Sequence, residues 1–150
     1  MSKPVPTSPE TPQGAPSGGA QVIATFLPQS PFVTKLGIVA DSLEPDQVRL
    51  RMPWDPSNVT IGDIVHGGAI ATLADLTVMA AAWSGAPAPE SLRGVTVSMA
   101  LDFLAPARAT DLIGRGRVLR RGRSLVNCEA EVVRPDGELV AKAIATYKIG

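Results

Sequence analysis

Two sets of residues in the stretch Gly62 to Ser84, GDIVHGGAIATLADLTVMAAAWS, are of types that do chemistry. The first is His66-Gly67-Gly68. Two glycines at a helix start let another group come close to the backbone. The N–H groups of a first helical turn have no partner within the helix, and the helix dipole gives that end about half a positive charge. Such a terminus suits a carbonyl oxygen that becomes an oxyanion. The tripeptide also has a plain structural use, with glycines for tight packing and His66 as a polar residue at the helix entry. The second candidate is Asp75, the only residue between Asp63 and Glu90 that carries a charge at neutral pH if it ionises normally. A carboxylate inside apolar surroundings is costly unless paired, hydrogen-bonded or protonated. Asp75 is therefore either satisfied by Thr72 or a neighbouring strand, or poised as a general base or nucleophile.

His66 and Asp75 are nine residues apart. On a helix that is roughly 13 Å along the axis, and nine steps of about 100° put the two on opposite faces. One helix cannot bring both to one reacting atom. If both serve one site, a second copy of the chain supplies one of them, and a two-fold dimer makes two equivalent sites.

The helix that carries them is apolar on nearly every face, so it is buried in a core or spans a membrane. Spanning takes about twenty apolar residues. His66 to Trp83 is shorter and is interrupted by Thr72, Asp75 and Thr77, so the sequence predicts a central helix wrapped by other elements. It ends near Ser84-Gly85, and Pro87 and Pro89 prevent its return. Before it, Ala20 to Leu27 predicts a short helix stopped by Pro28 and Pro31, with Phe32 and Leu36 packing it onto the body. Leu36 to Leu43 and Gln47 to Met52 predict strands; Val48, Leu50 and Met52 alternate with Gln47, Arg49 and Arg51. Pro53 to Gly62 reads as a polar loop.

Four strands are expected after the helix. In Gly94 to Leu104 the residues Val95, Val97, Met99, Leu101 and Phe103 share one face, with Thr96, Ser98 and Asp102 on the other. Asp111 to Arg120 and Ser124 to Arg134 flank the turn Arg121-Gly122-Arg123, where glycine suits a positive φ. Pro135-Asp136-Gly137 turns into Glu138 to Ile149. Strands in hairpins with one long helix make an α+β domain, an antiparallel sheet with the helix on one face. A helix this apolar needs more cover than a flat sheet gives, so the sheet curves strongly or a partner subunit contributes.

The 150 residues are most simply one domain. Residues 1 to 19, rich in Pro, Ser, Thr and Gly, are expected to be a disordered tail ahead of a domain at 20–150. Zero net charge and no long basic stretch argue against nucleic acid. Lone Cys128 excludes an intramolecular disulfide and fits a reducing cytoplasm. One histidine and one cysteine argue against a protein-ligated zinc, and no cofactor is expected. Lys3 is not followed by an apolar run, so no secretory signal is expected, nor a membrane partner.

HGGAIATLAD, VTVSMALDFLAPA and VLRRGRSLVNCEAEV together resemble the hotdog-fold acyl-CoA thioesterases, in particular the phenylacetic-acid-degradation (PaaI-like) branch. The resemblance covers roughly Ala20 to Gly150. It implies a hotdog fold, a curved antiparallel sheet around one long helix. Subunits pair by joining sheets, and the pairs often form tetramers. It implies that the Gly67 N–H polarises the thioester carbonyl. Asp75 of the other subunit then activates water or attacks directly, and Thr96 orients water. An Asn ahead of the HGG helps hold the site. Asn58 lies eight residues before His66, where relatives commonly have six; Thr60 occupies that position, so the assignment lies between the two. Coenzyme A contacts are implied along Arg120, Arg121, Gly122, Arg123, Ser124 and Leu125, with others at Phe103 and Lys148. Arginines suit a nucleotide phosphate, although a solvated turn has the same composition. The activity implied is hydrolysis of an acyl-CoA to a carboxylic acid and coenzyme A. A non-catalytic acyl-CoA-binding module and a hotdog hydratase or dehydratase are the alternatives. The retained Asp75 argues against a binder, and no hydratase motif surrounds Asp63 to His66.

Overall fold

The structure, a computed structural model, describes residues 18–150. Its elements are α1 (Gly18–Phe26), α2 (Pro31–Lys35), β1 (Val39–Glu44), β2 (Gln47–Met52), β3 (Val59–Ile61), β4 (Ile64–Val65), α3 (Gly67–Ser84), β5 (Gly94–Phe103), β6 (Leu112–Arg121), β7 (Leu125–Val133) and β8 (Leu139–Ile149). Six strands form one antiparallel sheet in the order β1-β2-β6-β7-β8-β5, and β3 and β4 form a separate small hairpin.

The sheet wraps α3, which packs on β2, β5, β6, β7 and β8 and is crossed by α1. By length and composition α3 could cross a membrane; here most of it is enclosed by its own chain. Small side chains make the enclosure tight: Ala74, Ala80, Ala81 and Ala82 are all fully buried. The sheet answers with glycines. A Cβ at Gly114 would overlap Thr77 Oγ1, and one at Gly116 would lie 2.8 Å from both Thr77 Cγ2 and the Thr77 carbonyl oxygen. Glycine inside a strand marks such close approaches. The inner face is completed by Val126, Cys128, Ala130 and Val132 of β7 and by Val140, Ala141, Ala143 and Ala145 of β8. Burial pushes the Cys128 thiol up to about 11.

Several expectations need correcting. The first helix ends at Phe26, ahead of Pro28 and Pro31 as expected, but Pro31 also opens α2, because proline at a first helical position forfeits only an N–H that has no helical partner. Phe32 does not pack onto the body but is 55% exposed. The segment Pro53–Gly62, read as loop, contains β3, and the chain turns into β4 at Gly62 with φ +57. Gly137 has positive φ but Gly122 does not; a Cβ at Gly122 would instead crowd the Leu125 carbonyl oxygen at 2.8 Å.

The expected tail over residues 1–19 lies outside the described residues except for Gly18 and Gly19, which open α1. Gly19 is buried and its N–H donates to the Ala86 carbonyl at 3.0 Å. A chain starting at Ala20 should therefore melt a few degrees below one starting at Gly18. One hydrogen bond is worth about 1 kcal/mol, and each kcal/mol moves Tm by about 2–4 °C at this size. Equal melting temperatures in calorimetry would show that this contact carries nothing.

Candidate active site

The start of α3 is held by the β3–β4 hairpin. The His66 N–H donates to the Asn58 carbonyl at 2.8 Å, the Val65 N–H to the Ala107 carbonyl at 2.9 Å, and the Ala109 N–H to the Asp63 carbonyl at 2.9 Å. Arg108 adds an ion pair to Asp63 at 2.8 Å. His66 is the N-cap: its Nδ1 accepts from the Gly68 N–H at 2.7 Å. A ring nitrogen that accepts carries no proton, so the ring N–H is on Nε2. The capping satisfies Gly68 and leaves the Gly67 N–H without a partner among the described residues. One unpaired donor at a positive helix end is the arrangement an oxyanion needs.

Asp75 lies farther along α3, half-buried, and its Oδ1 accepts from Thr96 Oγ1 at 2.6 Å. The contact depends on an irregularity of β5. Thr96 pairs with Tyr147 and Ser98 with Thr146, which leaves Val97 as an extra residue. Such a bulge shifts the side-chain alternation by one. Thr96 therefore shares the inner face with Met99 and Leu101 and not with Ser98, while Val95 and Val97 are each 57% exposed. This corrects the single alternation read from Val95 to Phe103. Opposite Thr96, Tyr147 is buried, and its Oη accepts from Trp83 Nε1 at 3.2 Å. Burial raises the Tyr147 pKa; the Trp83 hydrogen bond opposes this and the nearby Asp75 charge adds to it.

Two grooves flank the beginning of α3. One, of about 400 Å³, is apolar and runs past Gly67 between Thr60, Ile64, Ile70, Phe103 and Leu104. Phe103 lies over Gly67, where a Cβ would meet its Cε1 at 3.5 Å. The other, of about 390 Å³, lies on the His66 side between Phe32, Lys35, Asn58, Ala69 and Thr72. Thr60 and Asn58 thus stand in different grooves: Thr60 beside Gly67, Asn58 beside His66. Asn58 holds His66 through its main-chain carbonyl.

The hairpin residues separate at a second register shift, which leaves Leu119 as an extra residue on β6 between Val118 and Arg120. Arg120 pairs with Asn127 on the outer face, and Leu125 pairs with Lys148. Arg120, Arg123, Ser124, Leu125 and Lys148 are exposed together at this end of the sheet. Arg121 pairs with buried Val126, so it turns inward. Its Nη2 donates to Asp46 Oδ1 at 2.6 Å near the C-terminal end of α3. Its Nε and Nη1 are buried with no acceptor among the described residues. The negative end of the helix dipole favours a cation there. Phe103 lies at the far end: its partner Ala141 is seven residues from Lys148 on β8, roughly 23 Å at strand rise. Lys35, Phe32 and the Gly114–Thr77 contact were not singled out for these places by the sequence; the Gly-x-Gly of β6 was the one available signal for the last.

An antiparallel sheet wrapped on one long helix, with a free N–H at the helix start and a carboxylate midway along it, is the architecture of the hotdog-type thioesterase fold. The sequence profile of the thioesterase superfamily matches residues 62–141, and the chain belongs to that superfamily. A thioesterase family protein from Silicibacter pomeroyi is similar at 30% identity with a TM-score of 0.79, over 88% of this chain and 98% of that one. The PaaI protein of the E. coli phenylacetic acid degradation operon shares the fold with a TM-score of 0.79 at 21% identity, covering 91% and 96%. The hypothetical thioesterase protein of Streptococcus pneumoniae, determined with coenzyme A, shares it with a TM-score of 0.67 at 18% identity, covering 87% and 94%.

Proposed function

We propose that this chain hydrolyses acyl-CoA thioesters at two equivalent sites, each built from two subunits. The observation that carries the reading is the free Gly67 N–H and the Thr96-bonded Asp75 carboxylate on one helix, eight residues and roughly 12 Å apart. One thioester carbon does not reach both. β5 is an edge strand, and its exposed Val95 and Val97 suit pairing with a second copy. Gly67 lies near the Phe103 end of β5 and Asp75 near the Thr96 end. An antiparallel join of two β5 edges about a two-fold axis therefore sets the Gly67 of one copy against the partner's Asp75. The same join brings the exposed hairpin residues of one copy toward the Phe103 groove of the other, a span that one chain does not cover.

In this reading the Gly67 N–H binds the carbonyl oxygen. The partner's Asp75 takes a proton from water as the water oxygen adds to the carbonyl carbon, with the Thr96 hydroxyl fixing the carboxylate. The tetrahedral intermediate collapses, the C–S bond breaks, and the proton goes to the departing sulfur. A carboxylate attacking directly gives an anhydride that water then opens; both routes use the same two residues. The Phe103 groove suits the pantetheine arm and Arg120, Arg123 and Lys148 the phosphates. The coenzyme A in the Streptococcus pneumoniae structure supports that ligand class.

A panel of acyl-CoAs assayed for thiol release tests the activity, with Asp75→Asn as the control. Thiol release that is equal in the variant would sink it. The phosphate assignment has its own test. Arg120→Ala with Arg123→Ala should raise KM several-fold with little change in kcat, and should flatten the dependence of KM on salt. Arg121→Ala should instead lower Tm, because it strands Asp46 beside the helix end. An unchanged KM in the double variant would return both exposed arginines to a solvated turn.

A further inference from the structure

The groove on the His66 side has a lining that its apolar counterpart lacks. Among the described residues no carboxylate lines it. Lys35 closes α2 at its rim and makes no ion pair among the described residues. The His66 ring turns Nδ1 to Gly68, which leaves Nε2–H as a donor in an exposed side chain. The Asn58 side-chain amide makes no hydrogen bond among the described residues. Three unengaged donor groups, one of them a cation, thus stand around a floor of Leu36, Val59 and Ala69. Phe32, more than half exposed, lies along the wall. An apolar floor with donors at the rim fits a short carbon chain that ends in an anionic or strongly accepting oxygen group. The groove adjoins Gly67 through Gly68 and His66 and lies across the helix start from the Phe103 groove.

We infer that this groove takes the acyl portion of the substrate and selects acyl groups that carry a carboxylate at the end distal to the thioester, with Lys35 as the residue that reads it. The inference rests on the proposed acyl-CoA hydrolysis for its position relative to the reacting carbon, but not for its ligand chemistry. A carboxylate in the groove meets Lys35 directly, while an alkyl chain of the same length leaves the ammonium without a partner. Coenzyme A phosphates are the competing anions for the same cation, and the test separates them.

Adipoyl-CoA and hexanoyl-CoA share chain length and the whole of coenzyme A and differ in the distal carboxylate. The wild-type protein should show a kcat/KM for adipoyl-CoA at least tenfold above that for hexanoyl-CoA. Lys35→Glu should reduce the adipoyl-CoA value at least thirtyfold more than the hexanoyl-CoA value. Equal losses on both substrates would assign Lys35 to coenzyme A and overturn the inference, as would equal rates in the wild type. A second measurement does not need turnover. His66 is the only histidine of the chain, so its ring proton resonances report what enters the groove. Free adipate should shift them at concentrations at least several-fold below those needed for hexanoate, and Lys35→Glu should abolish the difference. Were neither thioester hydrolysed while adipate still shifted His66 in a Lys35-dependent way, the hydrolase reading would fall and the groove assignment would stand. No selective shift by adipate overturns the assignment whatever the turnover.

Discussion

Asp75→Asn should lower kcat at least a hundredfold while leaving the fold intact, because the amide keeps the shape and still accepts the Thr96 hydroxyl but no longer takes a proton. Gly67→Val should also inactivate. Its Cβ has room beside Phe103 at 3.5 Å, so the chain folds, but the added methyls occupy the space in front of the free N–H. Each variant alone is then dead. Mixed under conditions that exchange subunits, about half the dimers are heterodimers, each with one site holding wild-type Gly67 and the partner's wild-type Asp75. Recovery should approach about a quarter of wild-type activity if sites act independently. Demonstrated exchange without recovery would mean that both residues act within one chain, or that one of them is structural. The experiment separates a shared site from an internal one without needing the substrate's acyl group, since any hydrolysed thioester reads it.

Gly114→Ala should be among the most destabilising single substitutions in the sheet. The new Cβ would overlap Thr77 Oγ1, which is buried and already donates to the Leu73 carbonyl at 2.7 Å. Overpacking of a tight core costs about 1–3 kcal/mol, which at this size lowers Tm by about 2–12 °C. Thr77→Ala removes the obstructing atom, so Gly114→Ala should cost less than half as much in that background. Gly116→Ala is the control: its Cβ would stand 2.8 Å from the Thr77 main-chain oxygen as well as from Cγ2, and trimming the side chain does not move a carbonyl. Thermal melts of the four combinations decide the matter. If Thr77→Ala rescues both glycines equally, α3 is shifting away from the sheet as a body and the Thr77 main-chain contact is not what limits Gly116.

These two cases also mark what the sequence reveals and what it hides. The uniform apolarity of α3, broken by Asp75, was enough to place it at the centre of the fold, but left open whether a curved sheet or a partner subunit covers it; the sheet of the same chain does most of this. The hairpins after it followed from their turn residues. The phase of β5 did not, because nothing in the residue types around Val97 announces an extra residue; the bulge appears only when Tyr147 and Thr146 fix the register. Arg121 was grouped with its arginine neighbours by composition; plain alternation from Gly116 and Val118 would point it outward, and only the extra residue at Leu119 turns it toward Val126. The carboxylate that receives it is 75 residues away, a pairing no local pattern carries. The reach between His66 and Asp75 was legible, because helical rise is fixed and needs no tertiary information. Which groove lies on which side of His66 was not, because α2, β3 and the Ala107 strap that define the grooves come together only in the folded chain.

The enclosure of α3 has a consequence for synthesis. The helix ends at Ser84, but β6, β7 and β8, which supply most of its cover, are made after it. At about 5–20 residues per second the ribosome needs roughly 3 to 13 seconds to make Gly85 to Gly150. At the start of this interval a helix apolar enough for a lipid bilayer has, among the described elements that pack on it, α1, β1 and β2, and the others are added as they are made. The nascent protein is then a client for any factor that recognises hydrophobic segments at the exit tunnel, and slow codons between the end of α3 and the start of β8 would lengthen the exposure. Faster translation of that interval should raise soluble yield without changing a single residue.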